Sequence, residues 1–332
     1  MERKQVRLTD VAARAGVTVG TASKALAGTG SLRLETRQRV LAAAEFLHYF
    51  PNQQARTLLS GRSYTVGLIT SDAPGRFSVP VMQGAEDSLA TGQMAILFCD
   101  ARGDSVREQH WIRTLVARNV DGFIVTSHRS DPRSSISAEV PVPVVYAYSP
   151  SEDAADVSVV PDDVQGGRLA GEHLLEVGRR RIAYVGGPDS YLASHLRMQG
   201  FVEALAASGL TPATAPLFVP WEEEAGRRAA RILTARGDDL DAVFCASDQI
   251  ARGLLDELSA QGVRVPQDIA VVGFDDWDVM TLAARPQLTS VGMNLTRVGQ
   301  VAAVRLLEAI SGQRSPGLEL VPCELAIRAS SA

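Results

Sequence analysis

The sequence predicts an all-α helix-turn-helix head followed by an α/β body made of two doubly wound parallel-sheet subdomains. Three observations carry this. Apolar residues between Leu8 and Leu26 recur at helical spacing around a single interrupting glycine. From Tyr64 onward, short Val/Ile/Ala runs alternate with amphipathic stretches. Charge also divides along the chain. Residues 1–62 hold ten Lys/Arg against four Asp/Glu, a net of +6; with a chain total of −5, the remaining residues carry −11. A basic head on an acidic body suits a protein whose one end touches phosphates while the other avoids them.

In the head, Val11, Ala12 and Ala15 fall on one face of a first helix, and Thr9 is placed to cap it. Gly16 breaks the period and suits a sharp turn with positive φ. Thr18 offers a second cap, before a short helix over about 19–26 with Ala22, Ala25 and Leu26 facing inward. Two short helices joined by a glycine-containing turn make the helix-turn-helix pattern, whose second helix brings its N-terminal residues to base edges in the major groove. An ordinary helical hairpin has the same pattern. A third helix, about 34–47, has Val40, Ala44 and Leu47 as its apolar stripe. Arg33, Arg37 and Arg39 near its start either reach phosphate or form a solvated face. Pro51 to Arg62 reads as a linker with one short helix, marginal by itself in water.

Motifs across this region resemble those of the LacI/GalR family of bacterial transcription regulators. The matching residues are Leu8-Thr9-Asp10-Val11-Ala12, Ala15-Gly16-Val17-Thr18, Thr21-Ala22-Ser23-Lys24, Thr36-Arg37, Val40, Tyr49-Phe50-Pro51-Asn52 and Ala55-Arg56-Thr57-Leu58, followed by Gly67-Leu68-Ile69. The resemblance covers essentially the whole chain. It implies DNA contacts from Thr18, Val19, Gly20, Thr21, Ser23 and Lys24 in the second helix, and from Asn52, Ala55 and Leu58 in a hinge helix. Leu58 stands where the family places a leucine wedge between base steps in the minor groove. Gly20 and Ala22 replace larger or β-branched residues, and Ala27 a frequent Asn. That leaves Val19, against a thymine methyl, and Lys24, donating to guanine, as the expected base readers. Thr18, Thr21 and Ser23 are expected at phosphates or as caps.

In the body, strand-like runs are Val66–Thr70, Ala95–Cys99, Gly122–Thr126, Val144–Tyr148, Ile182–Gly186, Ala242–Ala246 and Ile269–Phe274. Helical stretches are Val81–Thr91, Arg107–Arg118, Gly166–Val177, Leu196–Ala207, Glu222–Arg236, Gln249–Gln261 and Arg297–Ser311. Near-continuous apolar strands between such helices imply buried parallel sheets, too many for one small sheet. The resemblance implies a type I periplasmic-binding-protein-like effector domain whose two subdomains face a cleft. The domains are then 1–50, a hinge at 51–62, and 63–332. Within the last, the N-subdomain is about 63–161 with 293–321, and the C-subdomain about 162–292 with 322–332.

Ligands of parallel α/β sheets gather beyond the carboxyl ends of strands. Asp275 ends such a strand and Arg197 opens a helix. In the resembling family the matching pair binds polar groups of the effector; a structural ion pair is the alternative. Trp221 falls where the family places an aromatic against the effector, or simply packs. Phe77 lies in the first strand–helix loop, but Gly75-Arg76-Phe77-Ser78 stands where the family carries Asn-Pro-Phe-Phe. Ser247 replaces a common Asn, and Tyr148 a common Asp or Asn. The expected effector site is therefore Phe77, Tyr148, Arg197, Trp221, Ser247 and Asp275, taking a small polar molecule such as a sugar or sugar derivative.

Enzyme classes lack support. No G-x-G-x-x-G follows a strand, and Gly166 and Gly171 have P-loop spacing but are followed by Glu172-His173. HExxH and G-x-S-x-G are absent, the five histidines are scattered, and no metal or cofactor is expected. Cys99, Cys245 and Cys323 lie in or beside apolar runs without CxxC spacing and read as buried thiols. No run of eighteen apolar residues exists, and the start MERKQVRLTD lacks the apolar core of a signal peptide, so no membrane association and a cytoplasmic location are expected. The expected partners are palindromic operator DNA, a small-molecule effector and a second copy of the chain in a homodimer. The reading is a ligand-responsive transcriptional regulator, most simply a repressor. The alternatives are a solute-binding protein without DNA regulation, and a corepressor-type or nucleoside-responsive regulator.

Overall fold

The computed structural model describes residues 6–26, 30–49, 61–72, 75–90, 92–235 and 239–332. Its contacts divide into two compact units, Met1–Ser63 and Tyr64–Ala332.

The first unit contains α1 (Leu8–Ala15), α2 (Val19–Leu26) and α3 (Leu34–Phe46). Their small core is Val11, Ala12, Ala15, Ala22, Ala25, Val40, Ala43 and Ala44. The expected stripe on α3 is shifted: Ala43 joins Val40 and Ala44, and Leu47 is only partly buried. Gly16 closes α1 in the left-handed region at φ 63°, as the turn requires. Thr9 does not cap α1. The helix starts at Leu8, and the Asp10 carboxylate reaches back to accept from the Arg7 backbone N–H at 2.8 Å. Thr18 does cap α2, its hydroxyl accepting from the Thr21 N–H at 3.1 Å.

The second unit has two six-stranded sheets. The first contains β1 (Thr65–Thr70), β2 (Ala95–Asp100), β3 (Gly122–Val125), β4 (Val144–Ala147), β5 (Val157–Pro161) and β11 (Gly317–Val321) in the order β11-β5-β4-β3-β1-β2, all parallel. The second contains β6 (Ile182–Gly186), β7 (Leu217–Phe218), β8 (Ala242–Cys245), β9 (Ala270–Asp275), β10 (Thr289–Gly292) and β12 (Glu324–Ala326) in the order β12-β10-β9-β8-β6-β7. Only β12 runs antiparallel to its neighbour. Strands β1, β3, β6, β8 and β9 are buried along nearly their whole length, which explains their unbroken apolar runs.

Helices cover both faces of each sheet. They are α4 (Ser78–Ala90), α5 (Ser105–Ala117), α6 (Asp163–Glu176), α7 (Leu192–Ala207), α8 (Glu223–Ala235), α9 (Asp248–Ala260), the short α10 (Asp278–Thr281) and α11 (Leu295–Ile310). Several start one to four residues earlier than the apolar periodicity indicates, and polar caps account for three of them. The Asp104 carboxylate accepts from the Val106 N–H at 2.8 Å to open α5. The Asp162 carboxylate accepts from the Gln165 N–H at 2.9 Å to open α6, and the Ser247 hydroxyl accepts from the Ile250 N–H at 3.3 Å to open α9. Gly166 and Gly171 serve packing. A Cβ on Gly166 would meet the Phe274 ring at 2.8 Å, and one on Gly171 would meet Ala204 at 2.8 Å. The chain passes between sheets three times, after β5, after β10 and between β11 and β12.

Candidate functional site: a cleft between the two sheets

A cavity of about 920 Å3 lies between the two halves of the second unit. Phe77, Tyr148, Arg197, Trp221, Ser247 and Asp275 all line it, delivered from six separate segments. Five of them sit at or just beyond a strand end or beside a helix start, so the parallel topology gathers them. Arg197 does not open its helix as expected but projects from the second turn of α7, which begins at Leu192.

The polar centre is a set of charges around Arg197, a residue only 3% exposed. Its Nε donates to Asp163 Oδ1 at 2.8 Å. Nη1 donates to the Ala246 carbonyl at 2.6 Å and approaches Asp275 Oδ1 at 3.5 Å. Nη2 meets Met293 Sδ at 3.5 Å, and the guanidinium lies 3.8 Å over the Phe274 ring. Burial alone would lower the Arg197 pKa, but the negative charges of Asp163 and Asp275 outweigh it and the net shift is upward. Arg197 is therefore a fixed cation. Burial pushes the Asp163 carboxyl up, with Arg197 pulling against it.

Asp275 is held in an unusual backbone geometry, at φ 109°, followed by Asp276 at φ 50°. Such conformations persist only where neighbours enforce them. Asp248 is one enforcer: its Oδ2 accepts from the Trp277 N–H at 2.7 Å and its Oδ1 from the Ser290 hydroxyl at 2.5 Å. Burial, and then the charge of Asp275, push the Asp248 carboxyl well above the usual range. Ser290 completes the clamp by accepting from the Asp276 N–H at 3.0 Å.

Aromatic faces supply the apolar part. Tyr148, also left-handed at φ 72°, stacks on Phe77 with centroids 4.8 Å apart and planes 15° apart. Trp221 lies over Gly187, where a Cβ would fall 2.0 Å from the indole, and meets Tyr191 edge-on at 5.8 Å. The loop bearing Phe77 is fixed by Asp72, whose Oδ2 accepts from the Phe77 and Ser78 N–H groups at 2.7 and 2.9 Å. Ser247 borders the cavity, but its hydroxyl is also the α9 cap.

Asp72, Asp163, Tyr191, Asp248, Gln249 and Trp277 belong to this site or hold it, and sequence reading did not single them out. Only Asp248 carried a signal: it is an acid at the first position of a helix that follows an apolar strand. Among the described residues, no group of three or more His, Cys, Asp or Glu could hold a metal ion, and no helix is long and apolar enough to cross a membrane. Cys99, Cys245 and Cys323 are free and buried.

In the head, Thr18, Val19, Gly20 and Lys24 are exposed along the start and outer face of α2, while Thr21 and Ser23 are partly buried. Thr21 and Thr18 share a hydroxyl–hydroxyl bond of 2.9 Å. Asn52, Ala55 and Leu58, and most of the 51–62 hinge, lie outside the described residues, as does Ala27.

Known proteins share this arrangement. Residues 7–52 match the bacterial regulatory proteins, lacI family, and residues 172–331 match the periplasmic binding protein-like domain. The chain is 36% identical over 329 residues to the HTH-type transcriptional regulator CelR of Thermobifida fusca, spanning 96% of both chains. It is 30% identical over 329 residues to the HTH-type transcriptional repressor CytR of Escherichia coli K12, spanning 97% of this chain and 95% of that one. The lac repressor dimer bound to operator and the anti-inducer ONPF aligns over 99% of both chains, with a TM-score of 0.78 at 27% identity. A CelR–cellobiose complex aligns over 98% of this chain and 99% of that one, with a TM-score of 0.69 at 31% identity. With its helix-turn-helix head, its two-sheet body and relatives matched end to end, this chain belongs to the LacI family of DNA-binding transcriptional regulators and is not an enzyme.

Proposed function

We propose that the protein is a homodimeric repressor that binds a palindromic operator, and that a sugar bound in the 920 Å3 cleft sets its DNA affinity. One observation carries the ligand half of this reading. Six separate segments bring aromatic faces and a charged hydrogen-bonding centre to one cavity. Its volume falls within the roughly 300–1,000 Å3 typical of small-molecule sites. Aromatic faces suit the C–H faces of a sugar ring, and carboxylate and guanidinium groups suit its hydroxyls. Cellobiose, the ligand named for the CelR complex, is the first probe.

The DNA half rests on α2. Val19 and Lys24 are its exposed base-reading candidates, Thr18, Thr21 and Ser23 serve phosphate contact or capping, and Gly20 allows close approach. Asn52, Ala55 and Leu58 are assigned to the hinge on the family pattern. Two heads related by a two-fold axis read two half-sites. Sugar binding changes the relation of the body's two halves and thereby the operator affinity, and a coupling of about 1–3 kcal/mol is ordinary for such a switch.

The test is a thermal-shift screen of the full chain against cellobiose, monosaccharides, sugar phosphates and nucleosides, followed by operator gel shifts with the hit. A ligand confined to the folded state stabilises it by about 2.7 kcal/mol at a hundred times its Kd. Asp275→Ala should abolish the shift. A sugar that stabilises Asp275→Ala as strongly as the parent protein defeats the cleft assignment, and a hit that leaves the gel shift unmoved defeats the regulatory one.

A further inference from the structure

Arg76 sits where the sequence departs from the family pattern, and it crosses the cleft. It belongs to the first half of the body, in the loop before α4. Its Nη2 pairs with Asp275 Oδ2, and its Nη1 donates to Gln249 Oε1 at 2.8 Å, both on the second half. The guanidinium lies 4.4 Å from the Trp277 ring centroid and 5.0 Å from that of Phe77. The Asp275 side chain is 6% exposed, with Oδ2 taken by Arg76 and Oδ1 facing Arg197. Arg76 thus competes with any ligand hydroxyl for Oδ2 of this carboxylate. The same pair forms part of the wall between the 920 Å3 cleft and a neighbouring 340 Å3 chamber at the crossover strands, since Arg76, Phe77, Asp275 and Trp277 line both. At the opposite edge the halves are joined again. The Leu192 N–H donates to Asp131 Oδ1 at 3.0 Å, and Arg129 lies 3.8 Å over the Tyr191 ring.

We propose that Arg76 is a specificity-determining residue of the cleft: its guanidinium fills the donor subsite on Asp275 and Gln249, so the effector binds by exchange with this tethered cation. This rests on the reading of the cleft as the effector site. The exchange selects ligands that bring at least two hydroxyl donors to Asp275 and Gln249. It disfavours anionic ones, because displacing Arg76 leaves that subsite facing the carboxylate of Asp275. The Arg76 contact also ties the two halves together before any ligand arrives, so it sets both how far the cleft opens and which chemistry closes it again.

Two measurements on the full-length protein decide this. In the first, spin labels are placed on the exposed positions Glu86→Cys and Glu224→Cys, and pulsed electron resonance reads their separation without ligand. The expected result is a longer, broader distribution when Arg76→Ala is added to an Asp131→Ala background, with Asp275→Asn giving the same widening. Identical distributions with and without Arg76 overturn the proposal. In the second, calorimetry with cellobiose compares the parent protein with Arg76→Ala and Arg76→Gln. Removal of a competitor should tighten binding about tenfold in both variants, and weaker binding in both overturns the exchange. If cellobiose binds none of the three, the sugar reading fails for that ligand, while the label distances still decide the role of Arg76.

Discussion

Asp163→Asn removes the shorter of the two anionic contacts of Arg197 while keeping the side-chain shape. The two side chains are 5% and 4% exposed, so neither charge can be rehydrated without opening the α6–α7 contact. At an effective dielectric of about 20, a 2.8 Å contact contributes roughly 6 kcal/mol of attraction and a 3.5 Å contact roughly 5 kcal/mol. Asp163 therefore supplies a little over half of the compensation for the Arg197 charge, and Asp275 the rest. Breaking a buried pair by removing one partner costs about 3–5 kcal/mol, and the surviving Asp275 places this case near the lower end, about 3 kcal/mol. The assay is equilibrium urea unfolding of the full chain, followed by tryptophan fluorescence and by circular dichroism. The control is Asp163→Leu combined with Arg197→Met, which removes both buried charges and fills their place with apolar side chains. Replacing a whole buried pair by apolar volume is often neutral, so the double variant should recover most of the loss. A cost below about 1 kcal/mol for the single variant, or a double variant no more stable than the single, refutes the claim that Arg197 is a buried cation dependent on Asp163.

Three further outcomes are expected. Gly187→Ala places a Cβ about 2.0 Å from the Trp221 indole, so the ring must leave its place in the cleft, and sugar affinity by calorimetry should fall at least about tenfold, roughly 1.4 kcal/mol. Thr18→Ala should cost about 1 kcal/mol of local stability, seen as faster hydrogen exchange across Val19–Leu26, whereas Thr18→Ser should restore protection. His173, buried against the Ser331 hydroxyl at 2.7 Å, has its pKa lowered by burial, so the unfolded chain binds its proton more readily. The stability it contributes is complete above about pH 6.5 and is lost as pH falls below that value. Urea midpoints between pH 7 and pH 5 should drop less steeply in His173→Gln than in the parent protein.

What could be read from sequence followed from how far each feature depends on distant residues. The helix-turn-helix came out of local chemistry, because Gly16 and Thr18 act on neighbours only three or four positions away. The buried strands announced themselves as apolar runs. Strands β5, β10, β11 and β12 did not stand out. They are three to five residues long and mix polar with apolar side chains, as in Thr289-Ser290-Val291-Gly292, and sheet partners a dozen to more than a hundred residues away hold them extended. The cleft divides the same way. The end of an apolar strand marks Asp275 locally, and family resemblance marks Arg197 and Trp221. Nothing near Arg76 shows that its partner lies 199 residues onward, and nothing near Arg197 shows that Asp163 faces it from 34 residues back. The departure at Gly75-Arg76-Phe77-Ser78 was visible as a mismatch, but its chemistry emerged only once the two halves were folded against each other.

The means of placing these charges is backbone contact between helices. A Cβ on Gly167 of α6 would lie 2.0 Å from the Arg197 carbonyl, and one on Gly200 of α7 would lie 1.8 Å from the Val164 carbonyl. Both helices thus approach to backbone distance at two reciprocal points, and Asp163 and Arg197 are presented from the turns beside them. The same reciprocity joins α4 to α11 through Gly84 and Gly299, and α8 to α9 through Gly226 and Gly253. Those pairs carry the loop of Arg76 and Phe77 before α4, and Ser247 and Gln249 at the start of α9. Helices in backbone contact cannot slide past one another without opening voids or clashes. Each half of the body should therefore move as one piece. The cheapest motion left to the cleft is rotation of one half against the other at the three crossovers, with the Arg76 contact breaking as the halves part. A ligand that replaces that contact acts on the whole half rather than on a loop, and such a displacement can be passed along the chain toward the DNA-reading head.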